Sequence, residues 1–207
     1  MSSHGALLEW RLELDRAITY GTRKEAGRVA AAGLRKARAQ AVPNEIEYFT
    51  AQKYILRSMF VDAIEHLDAA IRHDPTDGAA YNDRALCMVE LGIIDEALVY
   101  FDKGIAVEPA YATIHHNKGW LLNHLGHYRE AIRCFQRALE LEPDRAVTYD
   151  NLADALYSLG DLPASLAAYK KVLALLEPGR CRSIRKQIVL QIASLEKKIA
   201  VQLRSRT

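Results

Sequence analysis

The sequence predicts an all-α solenoid of helix–turn–helix repeats closed by a C-terminal capping helix. Three observations indicate this class: a fixed period of 34 residues, helical spacing of apolar residues inside each period, and a basic amphipathic segment after the last one. A period of this length means that each segment buries its apolar face only against its neighbours. Folds of this class usually bind other molecules rather than transform them.

The period runs through four segments without a gap: 44–77, 78–111, 112–145 and 146–179. Its strictest positions are the twentieth, which is small, and the twenty-fourth, which is large and apolar. A proline closes each of the first three segments, at Pro75, Pro109 and Pro143. The small and large residues are, in chain order, Ala63, Ala97, Ala131 and Ser165, then Leu67, Phe101, Phe135 and Tyr169.

Each segment reads as one helix, a tight turn and a second helix. In segment 112–145, Gly126 supplies the left-handed residue that ends the first helix, and Pro143 cannot continue the second. Large side chains such as Phe135 fill the space between helices, and small ones such as Gly119 let two backbones approach. We therefore interpret the apolar stripe as packing.

These residues resemble the tetratricopeptide repeat pattern, in which A-x3-F and a closing proline recur over 34 residues. Segment 78–111, for example, carries Tyr81, Ala85, Ala97 and Phe101 before its proline. The resemblance covers about two thirds of the chain. It implies a right-handed α-solenoid whose first helices line a concave groove, where ligands of the family usually lie.

The flanks are predicted to be helical as well. Residues 1–43 form an N-terminal hairpin, a degenerate repeat in our interpretation, whose second helix opens with a capping box of Thr22 and Glu25. Residues 180–207 form the basic capping helix and tail, from about Arg182 to Leu203. One face of this helix carries Ile184, Ile188, Ile192, Leu195 and Ile199, and the other carries Arg185, Lys186, Lys197 and Lys198.

The net charge of +2 hides an uneven distribution. Residues 1–43 carry +4, residues 44–179 carry −9 and residues 180–207 carry +7. Three explanations of the basic C-terminal helix are open: the solvated face of a cap, a contact with the acidic face of another subunit, or a surface for RNA or an anionic membrane. We favour the cap, so self-association remains an alternative and nucleic acid and membranes are the less favoured partners.

The resemblance also implies which residues face the groove. Those on the first two regular segments are Tyr48, Phe49, Gln52, Asn82, Asp83 and Leu86. Those on the third and fourth are His116, Asn117, Trp120, Asn123, His124, Asp150, Asn151, Asp154 and Tyr157. They predict a non-enzymatic adaptor or scaffold that binds a peptide or helical segment of another protein.

Two features of this predicted groove have competing interpretations. Asp83, Asn117 and Asn151 occupy equivalent positions, and an amide offers both a donor and an acceptor to an extended backbone. Asparagine at this position also stabilises the helix surface itself. Trp120 shares a helical face with His116 and His124, where it is either a binding anchor or part of the packing between first helices.

Other functional classes find little support in the sequence. It shows no phosphate-binding loop and no nucleophile with an activating base, so no catalytic residues and no cofactor are predicted. The histidines at 115, 116, 124 and 127 lack the spacing and partners of a metal site. Cys87, Cys134 and Cys181 are predicted to be free thiols, which points to the cytoplasm.

Overall fold

The computed structural model describes residues 3–176 and 182–204, with backbone only for residues 3–6 and 20. These residues form eleven α-helices and no strand. The prediction of an all-α helical repeat solenoid is therefore confirmed. The helices are α1 (Ser3–Tyr20), α2 (Arg23–Gln40), α3 (Pro43–Ile55), α4 (Phe60–His73), α5 (Gly78–Glu90), α6 (Ile94–Val107), α7 (Ala112–His124), α8 (Tyr128–Leu141), α9 (Ala146–Leu159), α10 (Leu162–Leu175) and α11 (Arg182–Arg204).

The chain divides into two compact units, each with its own packing. The N-terminal unit, Met1–Pro109, contains α1 to α6, and the C-terminal unit, Ala110–Thr207, contains α7 to α11. Within each unit every helix packs against the next one along the chain. The division of the sequence into individual repeats stays a prediction.

The periodic residues form the core of both units. The small residues of the twentieth position and the large ones of the twenty-fourth are all buried. Gly119 shows why a small residue is needed, because a Cβ added to it would lie 2.8 Å from the ring of Phe135. The apolar stripe is packing, as predicted.

Left-handed residues end the first helices. Gly92, Gly126 and Gly160 have φ values of 77°, 80° and 90°, which confirms the role predicted for Gly126. In the first regular segment Ser58 takes this place with φ of 60°. Its hydroxyl oxygen accepts a 3.1 Å hydrogen bond from the Arg23 guanidinium, which ties the turn to α2.

The N-terminal hairpin covers α3 and changes the role of one predicted groove residue. Its capping box is present: Glu25 N–H donates to the Thr22 hydroxyl oxygen, and the Glu25 carboxylate accepts from Thr22 N–H. On α2, Gly33 makes room for Phe49, since an added Cβ would lie 2.4 Å from the ring. Phe49 is completely buried. Its assignment to the groove was therefore wrong, because α2 packs over the helix face that the family register leaves open.

Arg11 anchors α1 to the N-terminal unit through a buried ionic network. Its guanidinium donates to both carboxylate oxygens of Asp77, at 2.9 and 2.6 Å, and to Glu45 at 3.0 Å. It also lies 3.8 Å from the centre of the Tyr48 ring. Burial opposes the charge, yet Asp77, Tyr48 and Glu45 hold the pKa of Arg11 well above its ordinary value.

Helix α11 caps the C-terminal unit on α10, with Ile188 and Leu195 buried as predicted. Two other predictions for this helix need correction. Ile184 is 47% exposed and does not join the buried stripe. Arg185, assigned to the solvated face, donates instead to the carbonyl oxygens of Leu173 and Leu176 at 3.0 and 2.8 Å. These are carbonyls at the end of α10, which helical hydrogen bonds leave unpaired.

Two further predictions concern the cysteines and the membrane. Cys87 is buried and Cys134 is half-buried, and neither forms a disulfide bond, whereas Cys181 lies outside the described residues. None of the helices in the described residues is long and apolar enough to cross a bilayer.

Candidate interaction surface

The predicted groove residues of the N-terminal unit are mostly buried or paired. Tyr48, Gln52 and Asn82 are at most 7% exposed. The side-chain amides of Gln52 and Asn82 both donate to the carboxylate of Asp83. Burial raises the pKa of Asp83 to about 6, against the opposing effect of hydrogen bonds from Asn82, Tyr48 and Gln52. These polar side chains satisfy one another within the unit.

This arrangement corrects the sequence prediction for α3 and α5. Gln52 and Asn82 were assigned to the groove, but their side-chain amides are committed to Asp83. Tyr48 is covered by the guanidinium of Arg11. Leu86 is half-buried. The N-terminal unit therefore offers little polar surface at the positions that the family register selected.

In the C-terminal unit, His116 is also buried rather than available. It is 7% exposed, and its Nδ1 lies 2.9 Å from the Thr148 hydroxyl oxygen. Its Nε2 lies 3.5 Å from the amide nitrogen of Asn151, so it joins α7 to α9. Burial and the charge of Arg145 lower the pKa of His116 to about 4, which keeps the ring neutral at neutral pH. Its assignment as a ligand-facing residue is therefore corrected to a buried link.

From Asn117 onward, α7 carries polar and aromatic side chains that are less deeply buried. Trp120 is half-buried, with its ring centre 4.4 Å from that of the exposed His124. The Nδ1 of His124 lies 2.8 Å from the Trp120 carbonyl oxygen. Asn117 and Asn123 are half-buried, and the amide oxygen of Asn123 is buried without a hydrogen-bond partner among the described residues. An orphaned acceptor of this kind is unusual in a folded protein.

Helix α9 adds an acidic and aromatic surface. Asp150 and Asp154 lie one helical turn apart, and burial together with the charge of Asp154 raises the pKa of Asp150 to about 6. Asp154 accepts a hydrogen bond from the Tyr169 hydroxyl, whereas Asp150 has no hydrogen bond or ion pair within the described part of the chain. Tyr157 is 41% exposed. The surface thus combines uncompensated negative charge with an accessible ring.

We name the exposed and half-buried members of this set the α7–α9 face. It consists of Asn117, Trp120, Asn123, His124, Asp150, Asn151, Asp154 and Tyr157. It offers hydrogen-bond acceptors, two carboxylates and two large aromatic rings, which together suit a ligand with donors, positive charge and apolar groups. Residues 3–176 and 182–204 contain no cluster of three potential metal-binding side chains.

Sequence reasoning missed one contact between α11 and the repeats. Lys198 of α11 was placed on the solvated side of the cap, but its ammonium donates to the Tyr157 hydroxyl and lies 4.6 Å from the centre of that ring. A signal was present: Gln191, Ser194 and Lys198 follow at steps of three and four beside the buried stripe of α11. They share the edge of the helix face that meets the repeats.

Asp150→Asn is expected to stabilise the C-terminal unit by about 1 kcal/mol at pH 7, after allowance for solvent screening of a half-exposed group. The folded-state pKa of about 6 exceeds the ordinary value of 3.8. The contribution of Asp150 to the free energy of unfolding is therefore fully present below pH 3.8 and is lost as the pH rises through 6. The gain should disappear near pH 3.5. Urea unfolding, followed by Trp120 fluorescence in a Trp10→Phe background, measures it.

The exposed Asp144 provides the matched control, because Asp144→Asn makes the same change of charge. His116 also makes the stability of the unit depend on pH, and its lowered pKa makes the free energy of unfolding rise with pH rather than fall. Each variant is therefore compared with the parent protein at the same pH. The contribution of His116 to the free energy of unfolding is lost as the pH falls from 6.5 through 4. An Asp150→Asn gain that is the same at pH 3.5 and pH 7 contradicts the prediction.

Comparison with known proteins identifies similarity to one repeat family. Two family models described as tetratricopeptide repeat match the sequence, one over residues 60–113 and the other over residues 112–177. Together they span more than half of the chain. No curated protein sequence matches it significantly.

Solved structures of repeat proteins have a similar fold. TTC0263, described as a thermophilic TPR protein in Thermus thermophilus, matches with a TM-score of 0.67 and 21% identity, over 94% of this chain and 98% of that one. A MamA structure from Desulfovibrio magneticus matches with a TM-score of 0.60 and 20% identity, over 78% of this chain and 96% of that one. At these identities the likeness is one of fold.

Proposed function

Because the chain belongs to the tetratricopeptide repeat family, we propose that it is a non-enzymatic adaptor or scaffold whose α7–α9 face binds a segment of a partner protein. The segment is extended or helical, and it carries a basic side chain next to an apolar one. We restrict the proposal to the C-terminal unit, since the corresponding side chains of the N-terminal unit are buried or paired with one another.

The observation that carries the proposal is the set of unpaired acceptors on this face. The buried amide oxygen of Asn123 has no hydrogen-bond partner among the described residues, and the Asp150 carboxylate has no ion pair there. Leaving such groups unpaired in a half-buried environment costs free energy. A partner that supplies an N–H to Asn123 and a cation to Asp150 recovers that cost on binding.

Aromatic side chains on the same face supply the apolar part of the interaction. Trp120 is half-buried and Tyr157 is 41% exposed, so both have surface left to bury. Aromatic residues of this kind dominate the binding energy of many interfaces. The helices that hold them are preformed, so the ordering entropy is lost mainly by the partner segment.

Trp120→Ala is expected to weaken partner binding about thirtyfold, because truncation of a tryptophan anchor costs about 2 kcal/mol or more. A phage-displayed library of random dodecapeptides, panned against the full chain, supplies ligands without knowledge of the natural partner. Fluorescence polarisation of the enriched peptides then measures Kd for the parent and the variant. We expect enrichment of Lys or Arg beside apolar residues.

Leu159→Ala is the matched control, since Leu159 is an apolar residue 41% exposed at the end of α9 and outside the α7–α9 face. Thermal melting monitors the folding of each variant. The proposal fails if the library yields no enriched sequence, or if enriched peptides bind Trp120→Ala as tightly as they bind the parent. It also fails if Trp120→Ala unfolds the C-terminal unit, which would make Trp120 a packing residue.

The remaining predictions on partners and place in the cell stay predictions. The free thiol of Cys87 supports a reducing compartment, so we place the interaction in the cytoplasm. Self-association through the basic C-terminal helix receives less support, because Ile188 and Leu195 of α11 are used within the chain. Nucleic acid and membranes remain the less favoured partners.

A further inference from the structure

A small cavity lies between α9, α10 and α11 in the C-terminal unit. It has a volume of about 230 Å³, and its lining includes Asp154, Tyr157, Tyr169, Gln191 and Lys198. One water occupies about 30 Å³ in the liquid, so the cavity has room for a side chain of several heavy atoms. It adjoins the α7–α9 face through Asp154 and Tyr157, which belong to both.

The chemistry of the walls favours a cation. The amide oxygen of Gln191 is buried and has no hydrogen-bond partner among the described residues. The Asp154 carboxylate is the acceptor for the Tyr169 hydroxyl and retains further lone pairs. With the rings of Tyr157 and Tyr169, these groups provide acceptors and π faces, which are the partners of an ammonium or guanidinium group.

Lys198 of the same chain already occupies the edge of this cavity. Its ammonium donates to the Tyr157 hydroxyl and lies over the ring. The N-terminal unit has contacts of the same kind, with Arg11 at 3.8 Å from the ring centre of Tyr48, and with Arg84 at 3.7 Å and Lys103 at 4.4 Å from that of Tyr100. Tyrosine rings in this protein therefore repeatedly form cation–π contacts with Lys and Arg side chains.

We infer that this cavity receives the basic side chain of the bound partner segment, and that Lys198 holds its entrance as an internal competitor. The inference rests on the proposed function, because it assigns a place to the cation that the α7–α9 face attracts. An internal occupant lowers the apparent affinity in proportion to the fraction of time it fills the site. A partner that displaces Lys198 frees the Tyr157 ring for its own cation.

The test uses N-acetyl-lysine methylamide as the probe and its norleucine counterpart as the uncharged analogue of similar length. Binding to the full-length chain is followed by NMR, through the side-chain amide signals of Gln191. Lys198→Met should tighten lysine-probe binding about two- to fivefold, the factor that corresponds to losing one exposed cation–π contact. Lys197→Met removes the same charge one residue away on the exposed side of α11 and should leave Kd within about 1.5-fold of the parent.

Gln191→Leu provides the complementary variant, since it removes the unpaired acceptor at nearly constant volume and should weaken lysine-probe binding. Binding to this variant, which lacks the Gln191 amide, is followed through the ring signals of Tyr157. Equal effects of Lys197→Met and Lys198→Met overturn the inference, because they indicate long-range charge alone. Equal binding of the norleucine and lysine probes overturns it as well, and so do unchanged Gln191 signals.

Failure of this inference is distinguishable from failure of the proposed function. Library peptides whose binding depends on Trp120, together with a lysine probe that does not bind, refute the cavity and leave the α7–α9 face in place. A lysine probe that binds with the expected variant pattern, together with no enriched library peptide, refutes the partner-binding function and leaves the cation site in place.

Discussion

Replacing Phe49 by alanine is expected to lower the free energy of unfolding of the N-terminal unit by about 3–5 kcal/mol. The ring is completely buried, and it fills the space that Gly33 leaves on α2. Gly33 has no side chain that can relax into the resulting cavity. The cost therefore includes both the lost transfer free energy and a cavity that stays open.

Urea unfolding, followed by Trp10 fluorescence in a Trp120→Phe background, measures this loss in the unit that contains Phe49. Val61→Ala is the control, because Val61 is 60% exposed on α4, and it should change stability by less than about 0.5 kcal/mol. A loss below about 1 kcal/mol for Phe49→Ala would mean that the ring borders solvent, as the family register alone predicts.

Arg11→Met is expected to destabilise the same unit by about 3–5 kcal/mol at neutral pH, because it leaves buried carboxylates without a counter-ion. The side chains of Asp77 and Glu45 are only 6% and 11% exposed where they meet the guanidinium. Methionine keeps much of the volume of arginine, so the loss reports on charge more than on packing. The urea midpoint of the N-terminal unit is again the measurement.

A second substitution separates the ionic network from simple packing. Asp77→Asn removes one stranded charge and keeps a side-chain oxygen that can accept from Ala80 N–H at the start of α5. The double variant of Arg11→Met and Asp77→Asn should therefore recover about half of the loss or more. Arg16→Met, an exposed substitution on the same helix, should be nearly neutral. Full destabilisation of the double variant would show that the network is not the cause.

Local sequence signals predicted the parts of the fold that depend on a few adjacent residues. The capping box of Thr22 and Glu25 is encoded within four positions, and the left-handed turn at Gly126 follows from the absence of a Cβ. Phe135 was assigned to the core from its period alone, because equivalent residues in every repeat meet the same environment. Features of this kind can be predicted because neighbouring or periodic residues in the sequence determine them.

The candidate site was predicted less well, because burial at a given register depends on elements far along the chain. Phe49 and His116 occupy positions that the family register turns to the groove, yet α2 covers the first and a hydrogen bond with Thr148 fixes the second. Lys198 is exposed along most of its length, and only the presence of Tyr157 on α9 gives its ammonium a partner. A helical pattern predicts which face of the helix a side chain lies on, whereas the neighbouring helices determine whether that face is covered or exposed.

The burial of Cys87 gives the N-terminal unit an internal reporter of its own transient opening. The thiol lies on α5, and burial, with the charge of Asp83, raises its pKa to about 12. A thiol reagent in neutral solution therefore meets almost no thiolate until the unit opens. When reclosing is faster than alkylation, the labelling rate gives the opening equilibrium, and peptide mass mapping separates Cys87 from Cys134. The opening free energy of this unit is thus accessible in native buffer, on the unmodified chain.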